Sequence, residues 1–425
     1  MGTSPGGGLT RALREALRRW AARRRGRLAV AFSGGCDSAA LGSLCVEEAG
    51  EGGAPGARPP PVALVVDHGL RPEARGEAAR ALALARSLGL EARLLRASPG
   101  GRSLPQGLQQ RWARSERYRL LAGACQDLGV GTLLTGHHAD DQVETFLLRL
   151  AAGSGLEGLA AMPEASWLLG GRAGPLSLEP AQESQQFAFP VELGNGSPPS
   201  AAPLPRLLLL RPLLGARKRD LESLCRARSV EWVADPTNAD QMASRRNAVR
   251  AVLARAEAAG RPAPHDDILR VIKACAEDRD EIRSQAAAAV SAALDGNVPD
   301  WGLGVRAGSL EFYPSAVLRE PEPVALRALS ELLRAVSPPP PARFPLEAPR
   351  TTRSSALRGL LRALHRGVPF CAGGCELRPP PRPGHPALLR PLRLRRRART
   401  RASPHSVVPL ARTPSRPPCH APAPA

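Results

Sequence analysis

The chain has 425 residues, enough for two or three domains and a sizeable buried core. Its 59 basic and 39 acidic residues give a formal net charge of +20, which points to a polyanionic partner such as nucleic acid; but only Lys218 and Lys273 are lysines, and this Arg-, Ala-, Gly- and Pro-rich composition also looks like the imprint of GC-rich coding. No apolar run approaches a membrane span, and the scattered cysteines (36, 45, 125, 225, 275, 371, 375 and 419) have no zinc-finger spacing and no need to act as staples in so long a chain, so no membrane association and a reducing compartment are expected.

Residues 1–27 are Arg-rich with one acid, Glu15. Two readings stand: an organellar transit peptide, or a basic helix packing Leu9, Leu13, Ala16, Leu17 and Trp20 beside the first strand. Leu28–Phe32 is an apolar, β-leaning run that ends in Ser33, Gly34, Gly35, Cys36, Asp37 and Ser38. A helix over 39–48 follows. A strand that stops at Ser-Gly-Gly and feeds a helix leaves backbone N–H groups free at the positive end of the helix dipole, which suits a phosphate. Asp37 would repel a bare phosphate, so its presence argues for Mg²⁺ or for a substrate group that needs a carboxylate.

Further strands are predicted at 62–66, 90–95 and 131–135, alternating with helices over 73–88, 106–128 and 142–152. That alternation implies a parallel sheet with helices on both faces, a doubly wound α/β fold. Ligands of such sheets bind at the carboxyl ends of the strands. The polar clusters SGGCDS (33–38), DHGLR (67–71) and GHHADD (136–141) all fall at that end. Residues 163–205, rich in Gly, Pro, Ser and Gln, read as a flexible insertion. Order returns with a strand at 206–210, followed by Arg211, and with helices at 217–228 and 244–255. Helical patterns at 264–294, 322–336 and 355–366 make 262–370 a mainly helical accessory region. Residues 371–425, Pro- and Arg-rich from Arg378, read as a disordered basic tail whose 393–401 stretch suits RNA phosphates.

His137 and His138 are followed by Asp140, Asp141 and Glu144. One of the two aspartates as helix cap accounts for one acid only. Zinc would want more His or Cys at ligand spacing. A role on the phosphates or leaving group of a nucleotide is better motivated. Arg114 and Arg117 lie three apart beside Tyr118; they are either a solvated face or a phosphate- and base-binding group.

Taken together, these pieces resemble the tRNA(Ile)-lysidine synthetase family of the PP-loop ATP pyrophosphatases. The matching pieces are SGGCDS, VDHGLR (66–71), Ala113, Arg114, Arg117 and Tyr118, GHHADDQVET (136–145), GSGLEGLAAM (153–162), LLRPLL (209–214), DPTN (235–238) and RRNAVR (245–250). The resemblance covers roughly residues 28–255. It implies a PP-loop domain over 1–255 of the adenine nucleotide alpha hydrolase type. It also implies ligation of free L-lysine to C2 of the wobble cytidine of a CAU-anticodon isoleucine tRNA, through an adenylated cytidine. ATP is the implied substrate and Mg²⁺ the implied ion. The resemblance assigns Ser33, Gly34, Gly35, Cys36, Asp37 and Ser38 to ATP, and Asp37 also to the metal. It assigns Arg114, His137 and His138 to positioning ATP or stabilising adenylation, and Asp141 and Arg211 to the lysine or ATP site. A homodimer is an assembly compatible with it. The compartment is a bacterial-type cytoplasm or an organelle, a plastid before a mitochondrion. Two alternatives remain: a PP-loop tRNA cytidine 2-thiolase, against which the sequence-isolated Cys36, Cys45 and Cys125 argue, and a non-enzymatic RNA-binding protein on the same scaffold.

Overall fold

A computed structural model describes residues 7–21, 26–50, 60–69, 73–97, 106–169, 178–180, 206–233, 245–259, 265–294, 309–336, 354–372, 374–382 and 385–391. They lie within one compact unit ending at Pro391. In chain order, α1 (Gly7–Ala21) precedes β1 (Leu28–Ala31), α2 (Cys36–Gly50), β2 (Val62–Asp67), α3 (Ala74–Ser87), β3 (Glu91–Arg96), α4 (Gln106–Asp127), β4 (Thr132–Leu134), α5 (Ala139–Ala151) and α6 (Leu156–Leu159). Next come β5 (Ala165–Leu169), β6 (Leu178–Pro180), β7 (Arg206–Leu210), α7 (Lys218–Ala227), α8 (Arg245–Ala258) and α9 (His265–Ala293). The last elements are β8 (Leu310–Phe312), α10 (Pro314–Leu318), α11 (Glu322–Val336), α12 (Ser354–Arg366), β9 (Phe370–Ala372), β10 (Cys375–Arg378) and β11 (Ala387–Pro391).

The first sheet runs β3-β2-β1-β4-β7-β5-β6, parallel from β3 to β7. Its central strand β1 is buried at every position, as expected for a strand covered on both faces. β3, at the edge, carries Glu91, Arg93 and Arg96 on a half-exposed strand, a charge pattern that blunts edge pairing. One core packs α1, α2, α3 and α7 against the sheet; Leu13, Ala16 and Leu17 of α1 are buried in it. Over residues 7–21, then, the N-terminal stretch is a packed helix. Tyr118, Leu121 and Cys125 of α4 help fill a core on the other face.

The stretch 163–205 departs from a purely flexible insertion. β5 pairs antiparallel with β7, Ala165 opposite Leu210, and β6 pairs with β5. Ser166 and Leu168 are buried on the sheet, an alternation that the surrounding Gly/Pro/Ser composition obscures. Residues 181–205 lie outside the described residues.

The helical patterns of the accessory region recur as α9, α11 and α12, but the region is not only helical. A second, antiparallel sheet runs β8-β11-β10-β9. This corrects the expectation that a disordered tail begins at 371. Cys375, Leu377, Ala387 and Leu389 alternate into a core with Leu329, Leu333 and Leu360, and that burial outweighs the Pro/Arg-rich composition. Cys371 is exposed and Cys375 buried, so the CxxxC is two strand positions across a hairpin. Residues 392–425, including 393–401, lie outside the described residues.

Candidate functional site

β1 passes its direction to the loop through the Phe32 N–H, which donates to Leu64 O at 3.0 Å. Gly34 then turns with φ +81°. A Cβ there would also meet Ala81 Cβ at 2.9 Å, so both conformation and space require glycine. The two serines fold the loop on itself. Ser38 Oγ donates to Gly35 O at 2.9 Å and accepts from Ser33 N at 3.2 Å. The Val233 N–H donates to Gly34 O at 2.8 Å. These hydrogen bonds fix the loop's shape from within the chain itself. α2 begins at Cys36, so its free N–H groups face the loop.

β4 delivers the second cluster against the first. Gly136 sits so close to α2 that a Cβ would lie 2.9 Å from both the carbonyl carbon and oxygen of Asp37. α5 starts earlier than the sequence predicts, at Ala139, because Asp141 accepts from the His138 N–H at 3.1 Å and closes its first turn. The start of α7 joins them. The Ala139 N–H donates to Ala216 O at 2.7 Å, and the Lys218 N–H to Asp140 Oδ2 at 2.8 Å. The starts of α2, α5 and α7 are therefore held together beside the loop.

His138 is the centre of this meeting. It is 2% exposed, with Nε2 3.6 Å from carboxylate oxygens of both Asp37 and Asp141 and Nδ1 3.4 Å from Asp140. Burial opposes its charge, but pairing with Asp140 and Asp37 and the Asp141 charge outweigh burial and push it up to about 10. It is a buried imidazolium. Asp37 is held below the usual carboxylate range, its own burial being outweighed by His138, Lys218 and Arg250. The Lys218 ammonium lies 3.9 Å from Asp37. Asp140 is held down in the same way, against its burial, by His138, the Lys218 N–H and Arg217. His265, at the start of α9, also reaches Asp140 at 3.4 Å. Behind them Arg250 pairs with the buried Glu144 and lies 3.8 Å from Asp141. Burial raises Glu144 despite that partner.

His137 faces the other way. Its Nδ1 shares a 2.8 Å hydrogen bond with Thr135 Oγ1. Burial, then the charges of Arg211, Arg114, Arg117 and Arg246, hold it well below its usual value. Two adjacent histidines are thus driven apart, one cationic among carboxylates and one neutral among guanidiniums. Arg114 lies over the Tyr118 ring at 5.6 Å and is itself exposed. Arg211 is 5% exposed and donates from Nη1 to Pro163 O and Ser166 Oγ, at 2.9 and 3.2 Å.

The structure therefore brings together Ser33–Ser38, His138 and Asp141 in one group, and Arg114, His137 and Arg211 in a second on the other side of Gly136–His138. Within DHGLR, Asp67 accepts from the Gly69 N–H at 2.9 Å, while Leu70 and Arg71 lie outside the described residues, as does 235–238. Sequence reasoning did not assign Asp140, Lys218, Arg217 or His265 to the site. No sequence signal pairs Asp140 with the start of α7, 78 residues away. It also left Cys36 without a partner thiol, whereas Cys225 Sγ is 3.9 Å from Cys36 Sγ.

A parallel sheet whose central strand ends in a Ser-Gly-Gly loop, faced by further helix N-termini, defines a nucleotide-binding α/β protein of the PP-loop class, and the PP-loop domain family matches residues 9–257. A tRNA(Ile)-lysidine synthase of Methylobacterium nodulans is 35% identical over 315 residues, covering 73% of this chain and 75% of the relative. One of Bradyrhizobium sp. strain BTAi1 is 39% identical over 216 residues, covering 51% of this chain and 48% of the relative. The chain belongs to the tRNA(Ile)-lysidine synthase family. It spans about half the length of the Bradyrhizobium relative. Among solved structures, the U34-tRNA thiolase NcsA from Methanococcus maripaludis aligns with a TM-score of 0.45 at 15% identity, over 64% of this chain and 79% of that one.

Proposed function

We propose that the chain ligates lysine to the wobble cytidine of a CAU-anticodon isoleucine tRNA, forming a carbon–nitrogen bond at the expense of ATP. In this reading the oxygen at C2 of cytidine attacks the α-phosphorus and pyrophosphate leaves. The amine of free lysine then adds at C2 and AMP leaves. The observation that carries the reading is the Ser33–Ser38 loop, closed on itself by the Ser38 hydroxyl, with His138 3.6 Å from Asp37 beside it. Family membership supplies the substrate class.

The roles follow from charge. The loop N–H groups and the Ser33 and Ser38 hydroxyls hold the β- and γ-phosphates. The Lys218 ammonium and the converging helix N-termini stabilise the departing pyrophosphate. Arg114 and Arg211 offset charge at the α-phosphorus, and His137, held neutral by burial and those guanidiniums, offers a hydrogen bond there without adding charge. Asp141 orients the first turn of α5 and, with Arg211, contributes to the lysine or ATP site. Asp37 has one oxygen, Oδ1, that is buried without a hydrogen-bond partner. A buried carboxylate oxygen without a hydrogen-bond partner, on a residue of the Ser33–Ser38 loop, fits Mg²⁺, a hard cation that takes oxygen ligands. When bound, the ion would screen the phosphate charge.

Sulfur transfer is the competing chemistry. A sulfur relay needs a thiol that a donor protein can reach, yet Cys225 is fully buried and Cys36 is 6% exposed. Mass spectrometry of the nucleosides from the treated tRNA tests the proposal. A wobble cytidine heavier by lysine less water supports ligation; a 2-thiocytidine, or unmodified cytidine, refutes it. The relatives described above are bacterial, and the reaction is assigned to the compartment that holds the tRNA pool.

A further inference from the structure

We propose that Cys36 and Cys225 are a redox-modification site: a hydroperoxide joins them in a disulfide, and the disulfide disables the phosphate loop. This rests on the ATP reading of that loop. Cys36 is the fourth residue of SGGCDS and the first of α2; Cys225 lies on α7, 189 residues further on. Their Sγ atoms are 3.9 Å apart, and Cys225 Sγ also lies 3.8 Å from the Cys36 carbonyl oxygen. The two thiols therefore face each other across the α2–α7 contact.

Closure has a mechanical consequence. Sulfurs in a disulfide are about 2.05 Å apart, so roughly 2 Å of approach must be divided between side-chain rotation and movement of the two helices. Neither helix moves without disturbing the site. The first turn of α2 is wedged against Gly136, where there is no room even for a Cβ. The start of α7 carries Lys218, whose N–H holds Asp140 and whose ammonium lies 3.9 Å from Asp37. A covalent tie between Cys36 and Cys225 thus pulls on the loop, on Asp37, or on both.

The thiols also differ in access. Cys36 is 6% exposed and Cys225 0%. Both thiols are buried, but Cys36 alone keeps residual exposure, which assigns the first encounter with a small hydroperoxide to Cys36. The Cys36 sulfur attacks the peroxide, the O–O bond breaks, and Cys36 becomes a sulfenic acid as water or an alcohol leaves. The Cys225 sulfur then attacks the Cys36 sulfur. The S–O bond breaks, and the hydroxyl takes the Cys225 proton and leaves as water. Two thiols lose two electrons and two protons, and one hydroperoxide is reduced.

The test uses the whole chain, reduced and then treated with hydrogen peroxide, with ATP binding followed by calorimetry and disulfides mapped by peptide mass spectrometry. The expected result is a cross-linked peptide pair containing Cys36 and Cys225, lighter by two hydrogens. With it comes a loss of ATP affinity of at least about tenfold, the cost of losing one hydrogen bond to a charged phosphate, reversed by dithiothreitol. Cys225→Ala should bind ATP like the reduced wild type and keep that affinity in peroxide. Absence of the cross-link, a cross-link with unchanged affinity, or an equal and reversible loss in Cys225→Ala overturns the proposal. If Cys225→Ala does not fold, the wild-type peptide map with dithiothreitol reversal decides alone. If the reduced wild type binds no ATP, the ATP reading itself fails and the switch with it; intact binding that peroxide leaves unmoved removes the switch only.

Discussion

Gly136→Ala probes the joint between the two halves of the site. Gly136 has no left-handed φ, so alanine meets no backbone strain and the cost is steric. The added Cβ would lie 2.9 Å from the carbonyl carbon and oxygen of Asp37 and 3.2 Å from Ser38 N, whereas ordinary contact begins at 3.4 Å. Roughly 0.5 Å must be found, and the atoms in the way are backbone at the start of α2, which cannot swing aside. Overpacking of this kind costs about 1–3 kcal/mol. The displaced turn also carries Asp37 and the loop N–H donors, and a misplacement of about 1 Å lowers a rate by roughly 10²-fold, so half of that predicts a loss of about tenfold. Urea denaturation and tRNA-dependent ATP–pyrophosphate exchange read the two effects. Wild-type stability together with wild-type exchange would refute the close approach on which the site geometry depends.

Stability should also depend on pH in a defined way. His138, held up to about 10, sits above its ordinary value of 6.5, so its pairing stabilises fully below about 6.5 and is lost as pH rises through about 10. Asp37 and Asp140, held down, contribute above their ordinary 3.8 and lose that contribution as pH falls further. The urea midpoint of metal-free protein should therefore fall on both sides of a plateau, and His138→Gln should remove much of the alkaline fall; an unchanged alkaline limb contradicts the assignment. Arg250→Ala leaves the Glu144 carboxylate, 2% exposed, without its partner. The expected cost is about 2–4 kcal/mol, below the ~3–5 of a fully buried pair because Arg250 is 38% exposed; a change under about 0.5 kcal/mol in the same denaturation experiment would show the pair to be idle. Leu329→Ala, at a fully buried position of α11, should cost about 2–5 kcal/mol, and a melt indistinguishable from wild type would deny the second core.

Much of the fold was legible because the chain alternates two periods. Buried parallel strands such as Leu28–Ala31 and Leu207–Leu210 are apolar runs, and the helices between them start and stop near glycines and prolines. The polar clusters at the strand ends mark the site edge in the sequence itself. What was hidden is physical too. β10 and β11 bury Leu377 and Leu389 within a composition of Pro and Arg that argues against folding, and only pairing with β8 and β9 rescues them. β5 lies at the start of a Gly/Ser-rich stretch and is stabilised by β7, some 40 residues later. Asp140 looked like a spare helix cap until α7 and α9 brought Lys218, Arg217 and His265 to it. The Cys36–Cys225 contact links residues 189 positions apart and has no local signature.

In the proposed reaction one site spends ATP on a tRNA base and then hands that base to lysine. AMP release from ATP, followed with CAU-anticodon isoleucine tRNA in the presence and absence of lysine, tests it most directly. The expected result is AMP release that requires both tRNA and lysine, that matches lysine incorporated into the tRNA, and that is abolished in Asp37→Asn while the fold is kept. AMP release that ignores tRNA or lysine, or full activity in Asp37→Asn, would contradict it.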